Sequence, residues 1–110
     1  MNISKNKKYT LVKIENTNIS NFLKDFTNNF TNFKGEQLIV DFSENSNTTE
    51  KDLILFLKLN NQHKEDGTSF VIICETVDID NLPEELNVVP TLTEAEDIIE
   101  MEAIERDLGF

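Results

Sequence analysis

A chain of 110 residues is long enough for one domain around a single core and too short for two. Its 21 acidic and 10 basic side chains give a charge of −11, and the whole excess lies in residues 75–110: these hold twelve Asp or Glu and one base, Arg106, while residues 1–74 balance nine acids with nine lysines. Direct nucleic-acid binding is argued against, because it relies on clustered Lys or Arg and the one such cluster, Lys5, Lys7 and Lys8, borders a segment, residues 1–6, expected to be a flexible N-terminus.

The longest apolar runs, Leu53–Leu57 and Phe70–Cys74, are five residues each, against about 20 for a membrane span, so no membrane partner is expected. No apolar stretch follows the N-terminal lysines, as a secretory signal would require. One cysteine cannot form an internal disulfide, so a reducing cytoplasm is the expected compartment, with Cys74 a packing residue closing an apolar run.

In chain order, Tyr9–Glu15 alternates polar and apolar residues and predicts a strand at or near a sheet edge. Ile19, Phe22, Leu23, Phe26, Phe30 and Phe33 then follow helical spacing, with Asn18 as cap and Gly35 as stop. Phenylalanines at that spacing read as core. Leu38-Ile39-Val40 predicts an interior strand covered on both faces. After a polar loop, Thr49-Glu50-Lys51-Asp52 resembles a capping box opening a helix through Leu53, Phe56, Leu57 and Asn60. Phe70–Ile73 predicts a second buried strand, Ile79–Leu86 a short amphipathic stretch, and Val88-Val89 the shortest strand. Thr91 caps a last helix running to about Leu108, with Gly109 as its stop. Strands alternating with crossover helices predict a single α/β domain over residues 1–110, with a small, mostly parallel sheet of about four strands.

Catalytic chemistry finds few footholds. The only histidine, His63, ends a polar helix segment, where a solvated or helix-capping role fits better than that of a base. One histidine is too few for a zinc hydrolase, and the three glycines at 35, 67 and 109 build no phosphate loop. Glu94, Glu96, Asp97, Glu100, Glu102 and Glu105 offer many oxygens on one helix, yet calcium sites usually fold a loop around the ion and magnesium sites usually borrow substrate phosphates. No metal, cofactor or catalytic residue is expected. Asp41 stands where a receiver-type phosphoacceptor would, but Ile14-Glu15-Asn16 lacks the acidic pair such a site needs, so Asp41 reads as a loop or helix cap.

The order of elements and the segment Leu38-Ile39-Val40-Asp41-Phe42-Ser43 resemble the STAS domain, the fold of anti-sigma factor antagonists and sulfate-transporter tails. In that family the apolar strand ends in Asp-Leu-Ser, and the next helix opens with Asp-Ser-Ser-Gly-Leu, its first serine being the regulatory phosphorylation site. Aligning Leu53 with that leucine puts Thr49 and Glu50 at the Asp and phosphoserine positions, with Lys51 and Asp52 replacing the second serine and the glycine. The resemblance covers most of residues 9–108, with the opening hairpin shortened to one strand. It implies a non-enzymatic protein-binding module whose phosphoacceptor-equivalent loop comprises Asp41, Ser43, Thr48, Thr49, Glu50, Lys51 and Asp52. A phosphoserine carries about −1.5 to −2 charge and suits a helix N-terminus, where Glu50 places a fixed negative charge. The implication is that phosphorylation control is absent and any partner is bound constitutively; equally, Glu50 is a good first-turn residue. The ending Glu105-Arg106-Asp107-Leu108-Gly109-Phe110 is similar to that of short bacterial chains classed with ribonuclease Z. The histidines and length of that two-zinc enzyme are lacking, so that likeness implies at most an accessory partner of a tRNA-processing metallohydrolase, itself without nuclease activity.

The last helix is opposed by its own charge. Carboxylates in its later turns work against the macrodipole, so local stability does not explain them, and either solubility or a basic partner does. Met101, Ile104 and Leu108 continue an apolar stripe that drifts from the Ala95, Ile98, Ile99 face toward Phe110. The expected interaction surface is Glu100, Met101, Glu102, Ile104, Glu105, Asp107, Leu108 and Phe110, offered to a protein with a basic surface or to a second copy in a homodimer.

Overall fold

The computed structural model describes residues 1–15, 17–45 and 47–109. Strands β1 (Asn2–Lys5), β2 (Thr10–Lys13), β3 (Leu38–Asp41), β4 (Phe70–Ile73) and β5 (Asn87–Val89) lie side by side in chain order. β1 runs antiparallel to β2, and the other three pairs are parallel. The α/β architecture is the expected one, with five strands in place of about four.

The added strand corrects the expectation for residues 1–6. Asn2–Lys5 pairs with β2, so the opening hairpin, expected to be shortened to one strand, has both of its strands. Its turn is closed by the Asn6 N–H donating to the Tyr9 carbonyl at 3.0 Å, while Asn6 Oδ1 accepts from the N–H groups of Lys8 and Tyr9, both at 2.8 Å. All four β1 residues are exposed, so apolar alternation carries no trace of it. Backbone pairing holds it, helped by the Lys5–Glu36 ion pair at 2.9 Å.

Parallel neighbours joined in chain order by right-handed crossovers carry their connecting helices on one face of the sheet. Helices α1 (Ile19–Asn28), α2 (Glu50–Ile54) and α3 (Leu57–Glu65) share such a face, where Phe22, Phe26, Leu53 and Phe56 meet Val12, Val40, Phe70 and Ile72. Seven of the eight phenylalanines belong to this core, with Phe26 in contact with five other rings at centroid distances of 5.6–6.1 Å. The phenylalanine row is core, as expected. Helix α4 (Leu92–Asp107) follows the last strand and covers the opposite face, packing Ala95 and Ile99 on Ile39, Val71 and Ile73.

Two predicted helices are broken. The first stops at Asn29, whose side-chain amide donates to the Asp25 carbonyl at 2.8 Å, and Phe30–Phe33 continues as a 3-10 turn that keeps both rings on the core. The second divides between α2 and α3, yet Leu53, Phe56, Asn60 and His63 still form one buried row. His63 corrects the expectation of a solvated side chain. It is 1 % exposed, its ring lies against Phe30 and Phe70, and its Nε2 donates to the Glu36 carbonyl, so it is a buried, hydrogen-bonded core residue.

Candidate functional site

The carboxyl ends of β2, β3 and β4 share one end of the sheet, where the 41–52 loop leaves β3. Asp41 is 8 % exposed, and its Oδ1 accepts the Ser43 N–H at 2.8 Å. This closes an Asx turn that swings the chain out of the sheet, so Asp41 serves as a loop cap. Beside it, Lys13 pairs with Glu44 at 3.1 Å, and that hydrogen bond raises the ammonium above its ordinary pKa.

The loop then feeds α2 through a reciprocal cap. Thr49 Oγ1 accepts the Asp52 N–H, while Asp52 Oδ2 accepts the Thr49 N–H at 2.9 Å and its hydroxyl at 3.1 Å. The predicted capping box is therefore formed, with Asp doing what Glu usually does. Thr48 is 3 % exposed and donates its hydroxyl to the Asn45 carbonyl at 3.2 Å. Ser43 and Lys51 are exposed, and Glu50 and Asp52 are half-buried.

Two residues outside the predicted loop complete the site. The Thr76 hydroxyl donates to the Thr48 carbonyl at 2.9 Å, and Glu50 Oε2 accepts the Asp78 N–H at 3.2 Å. Glu50 thus clamps the start of α2 to the segment that follows β4. Sequence reasoning missed Thr76 and Asp78 because nothing in their local pattern marks them. The available signal was topological: in a parallel pair, the segment after β4 must emerge beside the segment after β3.

Facing the other side of the cap is an open cleft of about 450 Å³ lined by Thr17, Asn18, Ile19, Ser20, Asn45, Asn47 and Asp52. Among the described residues, no group of three or more His, Cys, Asp or Glu side chains is placed to hold a metal. The arrangement ties the loop to its neighbours through capping and clamping bonds and presents it at a surface.

The second predicted group lies on α4, on the opposite face of the sheet, and the structure divides it. Glu100 pairs with Lys8 at 3.4 Å, and Glu102 accepts from the Asn87 amide at 3.4 Å, so both are engaged within the chain. Tyr9 donates its hydroxyl to Glu96 at 2.6 Å, and that bond, with burial, raises the phenol above its ordinary pKa. Arg106 reaches Ser69 and Gln37, both at 3.2 Å. Part of the acid therefore fastens α4 to the opening hairpin and to β5. Met101, Ile104, Glu105, Asp107 and Leu108 are exposed, and Phe110 lies outside the described residues. Among the described residues, no helix is long and apolar enough to cross a membrane.

This element order, sheet topology and capped loop define a STAS-like fold. Among solved structures, the chain is similar to Moorella thermoacetica RsbS carrying a serine-to-glutamate substitution, with a TM-score of 0.67 and 22 % identity over 93 % of this chain and 96 % of that one. It is also similar to a chain in the molecular architecture of the stressosome, described as a signal integration and transduction hub, with a TM-score of 0.62 and 20 % identity over 93 % of this chain and 98 % of that one. No family model matches the sequence, and no curated protein matches it.

Proposed function

We propose that this chain is a non-enzymatic, cytoplasmic protein–protein interaction module of the anti-sigma factor antagonist kind, which assembles with itself or other proteins and works without phosphorylation control. The observation that carries this reading is the bond from Glu50 to the Asp78 N–H. Glu50 occupies the position that the family resemblance gives to the phosphoserine, and its carboxylate already ties α2 to the neighbouring segment. A fixed negative charge there holds one state permanently, where a phosphate would make it conditional. The likeness to an RsbS in which glutamate replaces a serine, and to a stressosome chain, supports a signalling assembly as the setting.

The two hydroxyls nearest the phosphoserine position are both occupied. Thr48 is buried with its hydroxyl bonded inward, and Thr49 uses its oxygen as donor and acceptor in the cap. Phosphorylating either would break these bonds. Incubation of the purified chain with ATP and a lysate, followed by intact-mass measurement, is expected to show no stoichiometric phosphate; phosphate on Thr48 or Thr49 would overturn the reading. No structural observation favours the accessory role beside a tRNA-processing metallohydrolase.

A further inference from the structure

Helix α4 has two apolar faces. At about 100° per residue, Ala95 and Ile99 fall on the side packed against the sheet, where they are 0 % and 4 % exposed. Arg106 lies on that side as well, bonded to Ser69 and Gln37. Met101, Ile104 and Leu108 fall within about 60° of one another on the opposite side, and they are 53 %, 58 % and 66 % exposed. A helix lying on one sheet needs a single apolar stripe. Among the described residues, the outer one belongs to neither core cluster.

Its rim is acidic along both edges. Glu94 and Glu105 follow one edge, Asp107 and Glu100 the other, and Asp97 stands above Met101, all of them exposed; Glu100 alone of these is paired within the chain, with Lys8. The helix contributes no base to this face, since Arg106, its only one, is turned to the sheet. The macrodipole opposes carboxylates in the last turns, so helix stability does not account for Glu105 and Asp107.

We propose that this outer face docks a basic amphipathic helix of another protein, whose apolar anchors cover Met101, Ile104 and Leu108 and whose Lys or Arg side chains pair with the acidic rim. Charge selects this occupant over a second copy. Pairing α4 with α4 would bring two acidic rims together with no base from either helix between them, a like-charge arrangement that disfavours self-pairing. The face lies across the sheet from the 41–52 loop, and the inference stands independently of the function proposed for that loop.

The test uses the full chain and a labelled amphipathic peptide of Lys and Leu, with Leu at helical spacing, read by fluorescence anisotropy at low and high salt. The peptide is expected to bind the native chain, more weakly as salt rises, and to lose about tenfold or more in affinity for the M101Q/I104Q/L108Q variant with helicity unchanged. Should the triple variant lose helicity, Ile104→Gln alone is read by the same criterion. Equal affinity for native chain and variant would reduce the effect to bulk charge and overturn the proposal. So would failure to bind, or light scattering that shows the native chain dimerising at high salt while the variant stays monomeric.

Discussion

The imidazole of His63 sits edge-on to Phe30 and Phe70, with ring centroids 5.5 and 6.2 Å away. Its bond to the Glu36 carbonyl requires a proton on Nε2, which the neutral ring supplies. Burial pushes its pKa below the ordinary 6.5, against the opposing pull of the Glu36 carbonyl and of the Asp66 and Glu36 carboxylates. The folded state therefore binds fewer protons than the unfolded state just below pH 6.5, and stability falls as pH drops through the folded pKa. Glu36, held low chiefly by its bond to Lys5, adds a loss in the same direction, but only below its ordinary 4.5. Urea denaturation is expected to give a lower midpoint at about pH 5.5 than at about pH 7.5. A midpoint unchanged over that interval would contradict the buried neutral ring. His63→Ala, which on a surface histidine would be harmless, is expected to cost about 2 kcal/mol or more here by opening a cavity and orphaning a buried carbonyl.

At the scale of elements, the box at Thr49 is the cap with both reciprocal bonds formed, and α2 is too short at five residues to hold without help. Thr49→Ala is expected to lower stability by about 1 kcal/mol, and Thr49→Ser to restore most of it, as read by the denaturation midpoint. Equal stability for the two variants would contradict the role given to the cap. This box was legible in the sequence because every part of it lies within four residues. The same holds for the Thr91 cap of α4 and for the interior strands β3 and β4, whose apolar runs are unbroken. What was illegible depends on partners distant in sequence. β1 has one large apolar residue, Ile3, and exists through its pairing with β2. The breaks at Asn29 and Leu55 leave the apolar period almost undisturbed, so periodicity alone joins what the chain divides. The clamp from Glu50 to Asp78 spans 28 residues and becomes visible only when β3 and β4 are set side by side.

Across the whole molecule, the division of charge follows the division of layers. The balanced first 74 residues supply the hairpin, β3, β4 and the three helices of the aromatic core. The acidic remainder supplies β5 and the helix that covers the other face alone. Some of that acid is spent on the chain's own hairpin, through Tyr9–Glu96 and Lys8–Glu100, and some borders an apolar stripe that stays exposed among the described residues. Two surfaces result, on opposite faces of one sheet: a clamped loop with a built-in negative charge, and an acid-rimmed helix. Whether Glu50 holds the module permanently in its binding state is decided by quantitative affinity capture with native and Glu50→Ala baits, each with and without ATP. The native bait is expected to recover the same partners whether or not ATP is present, and Glu50→Ala to recover less in both conditions. Recovery that switches with ATP on the native bait, or is untouched by Glu50→Ala, would contradict it.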